Sequence, residues 1–228
     1  MIMRKWEELP ESMKTEAVRP YYDALNARRA GIVGKRIFDV IIAAILLIVL
    51  SPLMLIISAA IKLSSKGPVF FRQSRVTRYG REFKIHKFRT MIPEATAVGT
   101  LVTVGNDPRI TKIGAFLRKF RLDELPQLLD ILSGNMSFVG TRPEVPHYVD
   151  AYSDEMRATL LLPAGITSEA SIRYIDEAEL LDKAEDIDKV YIEQILPEKM
   201  KYNLESIMKF SLWREFMTML RTVIAVFK

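Results

Sequence analysis

Val40-Ile41-Ile42-Ala43-Ala44-Ile45-Leu46-Leu47-Ile48-Val49-Leu50-Ser51-Pro52-Leu53-Met54-Leu55-Ile56-Ile57-Ser58-Ala59-Ala60-Ile61 runs for 22 residues without a charge, and its reading decides the rest. About 20 apolar residues in a helix suffice to cross a hydrocarbon layer. Soluble cores seldom need an uncharged run this long, so a membrane segment is expected. A cleaved signal peptide fits poorly, because 39 residues precede the run and no small-residue cleavage site follows it.

Ser51-Pro52 falls near the middle of the run. Pro52 cannot donate to the carbonyl of Ile48, and its ring crowds that turn. In hydrocarbon the freed carbonyl needs water, a serine hydroxyl or a neighbouring helix as partner. Lys35 and Arg36 precede the run and Lys62 and Lys66 follow it, so the positive-inside rule selects neither orientation and both ends read as cytoplasmic. A kinked span accounts for the proline. A helix bent at Ser51-Pro52 that enters and leaves by one leaflet accounts for the proline and the flanks together, and on these grounds both stay open.

Outside the run, 228 residues allow one good core with an appended element. The absence of cysteine excludes disulfides, thiolate metal sites and a thiol nucleophile. A net charge of +5 and a pI near 9.3 favour anionic partners: nucleic acid, phosphorylated metabolites or an anionic bilayer. Residues 1–34 read as an accessory helical segment, 35–66 as the membrane helix and 67–228 as a catalytic domain. The expected class is α+β, helix-dominated with a small β-hairpin.

The hairpin is expected from Val69–Val76 and Glu82–Arg89 around Thr77-Arg78-Tyr79-Gly80-Arg81, where Gly80 can take a positive φ. Arg72, Arg75, Arg78, Arg81, Lys84, Lys87 and Arg89 crowd it. Strand side chains alternate faces, so these charges fall on both sides and some must meet a partner. Lipid headgroups, substrate phosphate and, away from a membrane, nucleic acid all answer that description. A tethered module gripping nucleic acid or anionic lipid without chemistry is therefore the rival to an enzyme.

Asn106-Asp107-Pro108-Arg109 reads as a turn before a helix over Ile113–Phe120. A second helix is expected from Leu122-Asp123-Glu124-Leu125-Pro126 to Gly134, with Asp123 as its cap and Pro126 in its first turn. The cap is the leading reading of Asp123; the alternative uses the same geometry, since a helix start also lowers a carboxylate pKa and attracts phosphate, which would bring a reactive group and substrate together. Gly134, Gly140, Pro143 and Pro146 mark a loop carrying Arg142, and Pro163-Ala164-Gly165-Ile166-Thr167 reads as another. Asp176–Asp188 is expected as a solvated acidic helix. Phe210–Phe227 places Leu212, Trp213, Phe216, Met217, Leu220, Ile224 and Phe227 on or near one helical face, either to lie in a membrane interface or to close the core. With two histidines, His86 and His147, and no HExxH, GxGxxG, Walker or GxSxG pattern, carboxylate chemistry on a phosphate remains.

The order of these features resembles the bacterial sugar transferase family, the monotopic polyprenyl-phosphate phosphoglycosyl transferases, and with one hydrophobic segment the chain resembles their small type. The matching residues are Lys35-Arg36-Ile37-Phe38-Asp39, Ser51-Pro52, Gly67-Pro68-Val69-Phe70-Phe71-Arg72-Gln73, Phe83, Lys87-Phe88-Arg89-Thr90-Met91 and Asp107-Pro108-Arg109-Ile110-Thr111. Arg118, Leu122-Asp123-Glu124-Leu125-Pro126-Gln127-Leu128, Met136-Ser137-Phe138-Val139-Gly140 and Arg142-Pro143 continue the match. The resemblance implies a re-entrant helix, a cytoplasmic-face domain on the inner membrane, a UDP-sugar donor, an undecaprenyl phosphate acceptor and magnesium. It makes Asp123 the nucleophile on the β-phosphorus and Glu124 its acidic partner, with both as magnesium ligands. It makes Lys87, Arg89, Arg118, Arg142 and Pro143 substrate-binding, implies membrane lipids and no nucleic acid as partners, and leaves room for a homodimer. Asn135, Thr141, Arg121 and Ser168 depart from the family pattern.

Overall fold

The computed structural model describes residues 3–92, 107–174, 177, 181 and 186–226. After two short 3-10 turns come α1 (Arg19–Asn26) and the long α2 (Arg29–Ser64), then the antiparallel hairpin β1 (Phe70–Val76) and β2 (Glu82–Phe88). Next are α3 (Lys112–Lys119), a 3-10 turn at Leu122–Glu124, α4 (Gln127–Leu132), β3 (Met136–Val139) and α5 (Pro146–Asp150). The chain continues through a 3-10 stretch at Met156–Leu161, β4 (Ala164–Thr167) and α6 (Glu169–Arg173). It ends with α7 (Ile187–Val190), a π turn at Tyr191–Ile195, α8 (Leu196–Met208) and α9 (Leu212–Val226).

α2 is helical throughout, with Pro52 inside it. Pro52 leaves the Ile48 carbonyl without a backbone donor, and the Ser51 hydroxyl donates to that carbonyl at 2.8 Å. The Ser-Pro pair thus repairs its own lesion. Ile32, Lys35, Asp39, Ala43, Met54, Ile57 and Ile61 are buried along α2 at helical spacing, so one stripe lies against the domain. Elsewhere Ile41, Ile45, Ile48, Val49, Leu55 and Ile56 are exposed. Among the described residues this is one helix long and apolar enough to cross a membrane, and only 11% of its most apolar window is buried. A core helix of a soluble protein would be mostly covered.

The basic flank before the uncharged run, Lys35 and Arg36, turns inward, whereas Lys62 and Lys66 of the flank after it stay exposed. Arg36 donates to the carbonyls of Ile131 and Leu132 at the end of α4, at 2.7 and 3.2 Å. Lys35 is buried against Glu215 of α9 and lies 3.8 Å from Asp39. Asp39 in turn accepts from the Ser137 hydroxyl at 2.6 Å. At the far end Arg89 donates to the carbonyls of Lys66 (2.8 Å) and Ser65 (2.9 Å), where the helix dipole favours a cation.

β3 and β4 form a second, parallel two-stranded sheet where loops were expected, pairing Met136 with Ala164 and Val139 with Thr167. The stretches are short and apolar, and two glycines bring the backbones together. A Cβ on Gly165 would sit 2.2 Å from the Gly140 nitrogen, and one on Gly140 would sit 2.6 Å from the Pro163 carbonyl oxygen. The expected hairpin is present with its turn, although Tyr79 as well as Gly80 takes a positive φ.

Met3, Leu9, Met13, Val18, Tyr22 and Leu25 of the N-terminal segment are buried with Ala158, Leu161, Leu196 and Met200 in one core cluster. Asn106, Asp176 and Phe227 lie outside the described residues. Of the expected acidic helix, Glu177 pairs with Lys199 at 2.8 Å and Asp188 accepts from Tyr148 at 2.6 Å, so these two acids serve the interior.

α9 is amphipathic in an inverted sense. Its polar side faces the domain: Thr218 is buried and donates to Glu169 at 2.8 Å, Thr222 bonds Thr167 at 2.6 Å, and Glu215 meets Lys35. Leu212, Trp213, Phe216, Leu220, Val223 and Ile224 are exposed. Of the two roles expected for this helix, the outward apolar face argues for the interface and against closing the core.

Candidate active site

The site is assembled on the turn between α3 and α4. Phe120 ends α3, and Arg121 takes a left-handed conformation (φ 55°, ψ 19°) that reverses the chain into the Leu122–Glu124 turn. For a residue with a Cβ this costs roughly 1 kcal/mol, and such strain concentrates at functional positions. α4 starts only at Gln127, with Pro126 before it and no side-chain cap. Asp123 is therefore not the expected cap. It is buried inside the turn and makes no hydrogen bond or ion pair with the described residues.

Glu124 is as buried as Asp123 but engaged through one carboxylate oxygen. Its Oε1 accepts from Lys87 Nζ of β2 at 2.8 Å and from Arg142 Nη2 at 2.6 Å, and Arg121 Nη1 stands 4.0 Å away. The two acids consequently titrate in opposite directions. Burial is the main influence on Asp123 and raises its pKa, helped by the Glu124 charge and resisted by Lys87, Arg118 and Arg142. Burial also pushes Glu124 upward, but Arg142, Lys87 and Arg121 together hold it well below the usual carboxylate range. Burial lowers the pKa of Lys87, while the Glu124 charge raises that of Arg142. A carboxylate this strongly ionised has no proton to donate at neutral pH. It anchors the two cations beside its neighbour.

Arg118 is aimed by the stretch Asp107 to Thr111. Thr111 caps α3 by accepting from the Gly114 N–H at 3.0 Å, and its own N–H donates to the Thr90 carbonyl at 2.9 Å. A Cβ on Gly114 would lie 2.0 Å from that carbonyl oxygen, so glycine is required there. Thr90 Oγ1 then accepts from Arg118 Nε at 3.0 Å. Burial lowers the Arg118 pKa and Asp123 is the acid that most counters it.

Lys87, Arg118, Asp123, Glu124 and Arg142 thus converge. Arg89 and Pro143 do not join them directly. Arg89 is buried at the end of α2, and the Pro143 carbonyl accepts from Arg75 at 3.2 Å, tying the Arg142 loop to the hairpin. Of the hairpin's other cations, Arg78 donates to the Leu161 carbonyl at 3.0 Å and Arg81 to the Asn135 side chain at 2.7 Å, while Arg72 and Lys84 are exposed. His86 and Asp130 form a pair at 2.8 Å away from the cluster's acids. Arg121 was visible in the sequence only as a departure from a pattern. Its left-handed backbone, which brings it to the site, has no signature in residue identity.

Beside Glu124 lies a cavity of about 230 Å³, lined by Arg121, Glu124 and Arg142 at one side and by Leu46, Leu50 and Ala225 among its apolar walls. Leu46 and Leu50 belong to α2 and Ala225 to α9, so the cavity joins the charged cluster to the two helices that expose apolar faces.

Asp123, whose carboxylate has no hydrogen-bond partner among the described residues, thus stands within the influence of Lys87, Arg118 and Arg142 and one residue from Glu124, which lines an apolar cavity between two helices with exposed apolar faces. The chain belongs to the family described as Bacterial sugar transferase, which matches residues 30–228. It is 36% identical over 218 residues to the UDP-glucose:undecaprenyl-phosphate glucose-1-phosphate transferase of Escherichia coli (strain K12), covering 93% of this chain and 44% of that protein. It is 34% identical over 192 residues to the UDP-N-acetylgalactosamine-undecaprenyl-phosphate N-acetylgalactosaminephosphotransferase of Aeromonas hydrophila, covering 83% of this chain and 42% of that protein. It is also 38% identical over 174 residues to the exopolysaccharide production protein ExoY of Rhizobium meliloti (strain 1021), covering 70% and 72%. The chain therefore spans less than half the length of the first two relatives.

Proposed function

We propose that the protein transfers a sugar-1-phosphate from a UDP-sugar to undecaprenyl phosphate, releasing UMP and beginning a bacterial surface glycan. The observation that carries this reading is Asp123: buried, without a hydrogen-bond or ion-pair partner for its carboxylate among the described residues, under the influence of Lys87, Arg118 and Arg142, and one residue from the cavity-lining Glu124. The activities for which two relatives are named supply the substrate classes. In the first displacement an Asp123 oxygen attacks the β-phosphorus, the bond to the bridging oxygen breaks, and UMP leaves with that electron pair. In the second, an oxygen of the lipid phosphate attacks the same phosphorus and the aspartyl oxygen departs, which restores the carboxylate. Two displacements let the lipid acceptor arrive after the soluble product has gone. Lys87, Arg118 and Arg142 offset the charge on the transferring group.

Among the described residues no group of three or more His, Cys, Asp or Glu forms a metal cage. Magnesium usually takes one or two carboxylates and completes its shell with substrate phosphate and water. Asp123, with no direct partner, fits that habit, whereas the Glu124 oxygen that Lys87 and Arg142 occupy is the less available ligand. Bound there with the donor, the ion would neutralise diphosphate charge.

The membrane reading is a re-entrant α2, with the domain on the cytoplasmic face of the inner membrane. It is supported by the two ends of α2, which are tied to one domain through Arg36 and Arg89. A helix crossing the bilayer would separate those ends. The outward apolar face of α9 lies in the same interface. The rival, a binding module without chemistry, needs free cations on the hairpin; Arg75, Arg78, Arg81, Lys87 and Arg89 are engaged within the chain, which leaves it the exposed Arg72 and Lys84.

The relatives are named for different sugars, so the test uses a donor panel. The full chain in detergent, with magnesium, is incubated with each UDP-sugar with and without undecaprenyl phosphate, and UMP is measured. One donor should give a burst of at most one UMP per chain without acceptor and sustained release with it. No UMP from any donor in the presence of acceptor would favour the binding module.

A further inference from the structure

We propose that Arg121 binds the phosphate of the membrane-anchored acceptor, as a second guanidinium beside Arg142 at the charged side of the apolar cavity. The inference rests on the acceptor half of the proposed transfer. Arg121 and Arg142 both line the cavity with Glu124, whereas Asp123, Lys87 and Arg118 do not. The cations therefore divide into a group around the nucleophile and a pair facing the apolar space. That space is walled by Leu46 and Leu50 of α2 and by Ala225 of α9, the helices with exposed apolar faces, so an isoprenoid chain is its natural occupant.

Arg121 is the cation of the site whose charge is least used. Its Nη1 stands 4.0 Å from Glu124 Oε1, beyond hydrogen-bond distance, while Lys87 and Arg142 already fill that oxygen at 2.8 and 2.6 Å. Its side chain makes no hydrogen bond with the described residues and remains 41% exposed. It also holds a left-handed backbone that Asn or Gly would adopt at less cost. A guanidinium there presents a planar fork suited to a phosphomonoester. A purely electrostatic role, holding Glu124 ionised, would need neither the cavity nor a specific ligand.

The test compares equilibrium binding of farnesyl phosphate and farnesol to the detergent-solubilised full chain and to two variants. The wild type should favour the phosphate. Arg121→Asn, which tolerates the left-handed backbone, should weaken farnesyl phosphate about tenfold, as expected for loss of one charge-assisted contact, and leave farnesol unchanged. Arg121→Lys should retain most of the phosphate preference. In turnover, the Arg121→Asn loss should fall on the KM for undecaprenyl phosphate and not on that for the donor. Equal farnesyl phosphate affinity in wild type and Arg121→Asn, or a loss shared equally by farnesol, would overturn the assignment. If the wild type binds farnesyl phosphate through Arg121 yet releases no UMP from any donor, the transfer reading falls and the phosphate site stands.

Discussion

Neighbouring carboxylates with opposite fates are the central feature at the scale of residues. Asp123 has its pKa raised by burial, so its ionised form opposes folding as pH rises through that raised value. Glu124 is held well below its ordinary value by Arg142, Lys87 and Arg121 despite burial. Its contribution is present above the unfolded-state pKa and is lost as pH falls toward the folded one. Thermal melts at neutral pH should therefore separate the two amides. Asp123→Asn should match or exceed the wild type, by on the order of 1 kcal/mol, while turnover disappears. Glu124→Gln should lose on the order of 3 kcal/mol, because Lys87 and Arg142 are left without their counter-charge. Equal destabilisation by both changes would contradict the account of two distinct roles. If Asp123 is the nucleophile, its raised pKa should make the burst fail on acidification at a pH above that of an ordinary aspartate.

At the scale of elements, α2 and α9 carry the membrane argument. α2 presents a single docked stripe, and its ends are held by Arg36 on α4 and by Arg89 after β2. The Ser51 hydroxyl satisfies the carbonyl that Pro52 frees, so the helix keeps its hydrogen bonding at the point where a bend is cheapest. Because the chain has no native cysteine, single cysteines report topology without background. Lys5→Cys and Lys209→Cys, on opposite sides of α2 in the chain, should react with an impermeant thiol reagent in lysed but not intact cells. Labelling of either one from outside would contradict the re-entrant reading.

Taken as a whole molecule, the chain was most legible where a residue type leaves few alternatives. The uncharged run and the hairpin around Gly80 could be anticipated from residue order, whereas the grouping of Lys87, Arg118, Asp123, Glu124 and Arg142 was implied only by the family resemblance. What escaped the sequence depends on tertiary partners. Lys35 and Arg36 look like topogenic flanks until Glu215 and the end of α4 are known to receive them. Arg89 looks like a phosphate ligand until the α2 terminus lies beneath it. β3 and β4 are four residues each, too short for a period-2 pattern to register. The cap role expected of Asp123 failed because Arg121 reverses the chain before the helix begins, leaving the carboxylate unused by the backbone. The covalent chemistry proposed for that carboxylate is measured most directly by mass. The full chain is quenched after incubation with magnesium and its correct UDP-sugar but no acceptor. It should gain the mass of one sugar phosphate, on the peptide containing Asp123, and lose it when undecaprenyl phosphate is added. Sustained turnover without that adduct, or near-normal turnover by Asp123→Asn shown by mass to be free of deamidation, would contradict it.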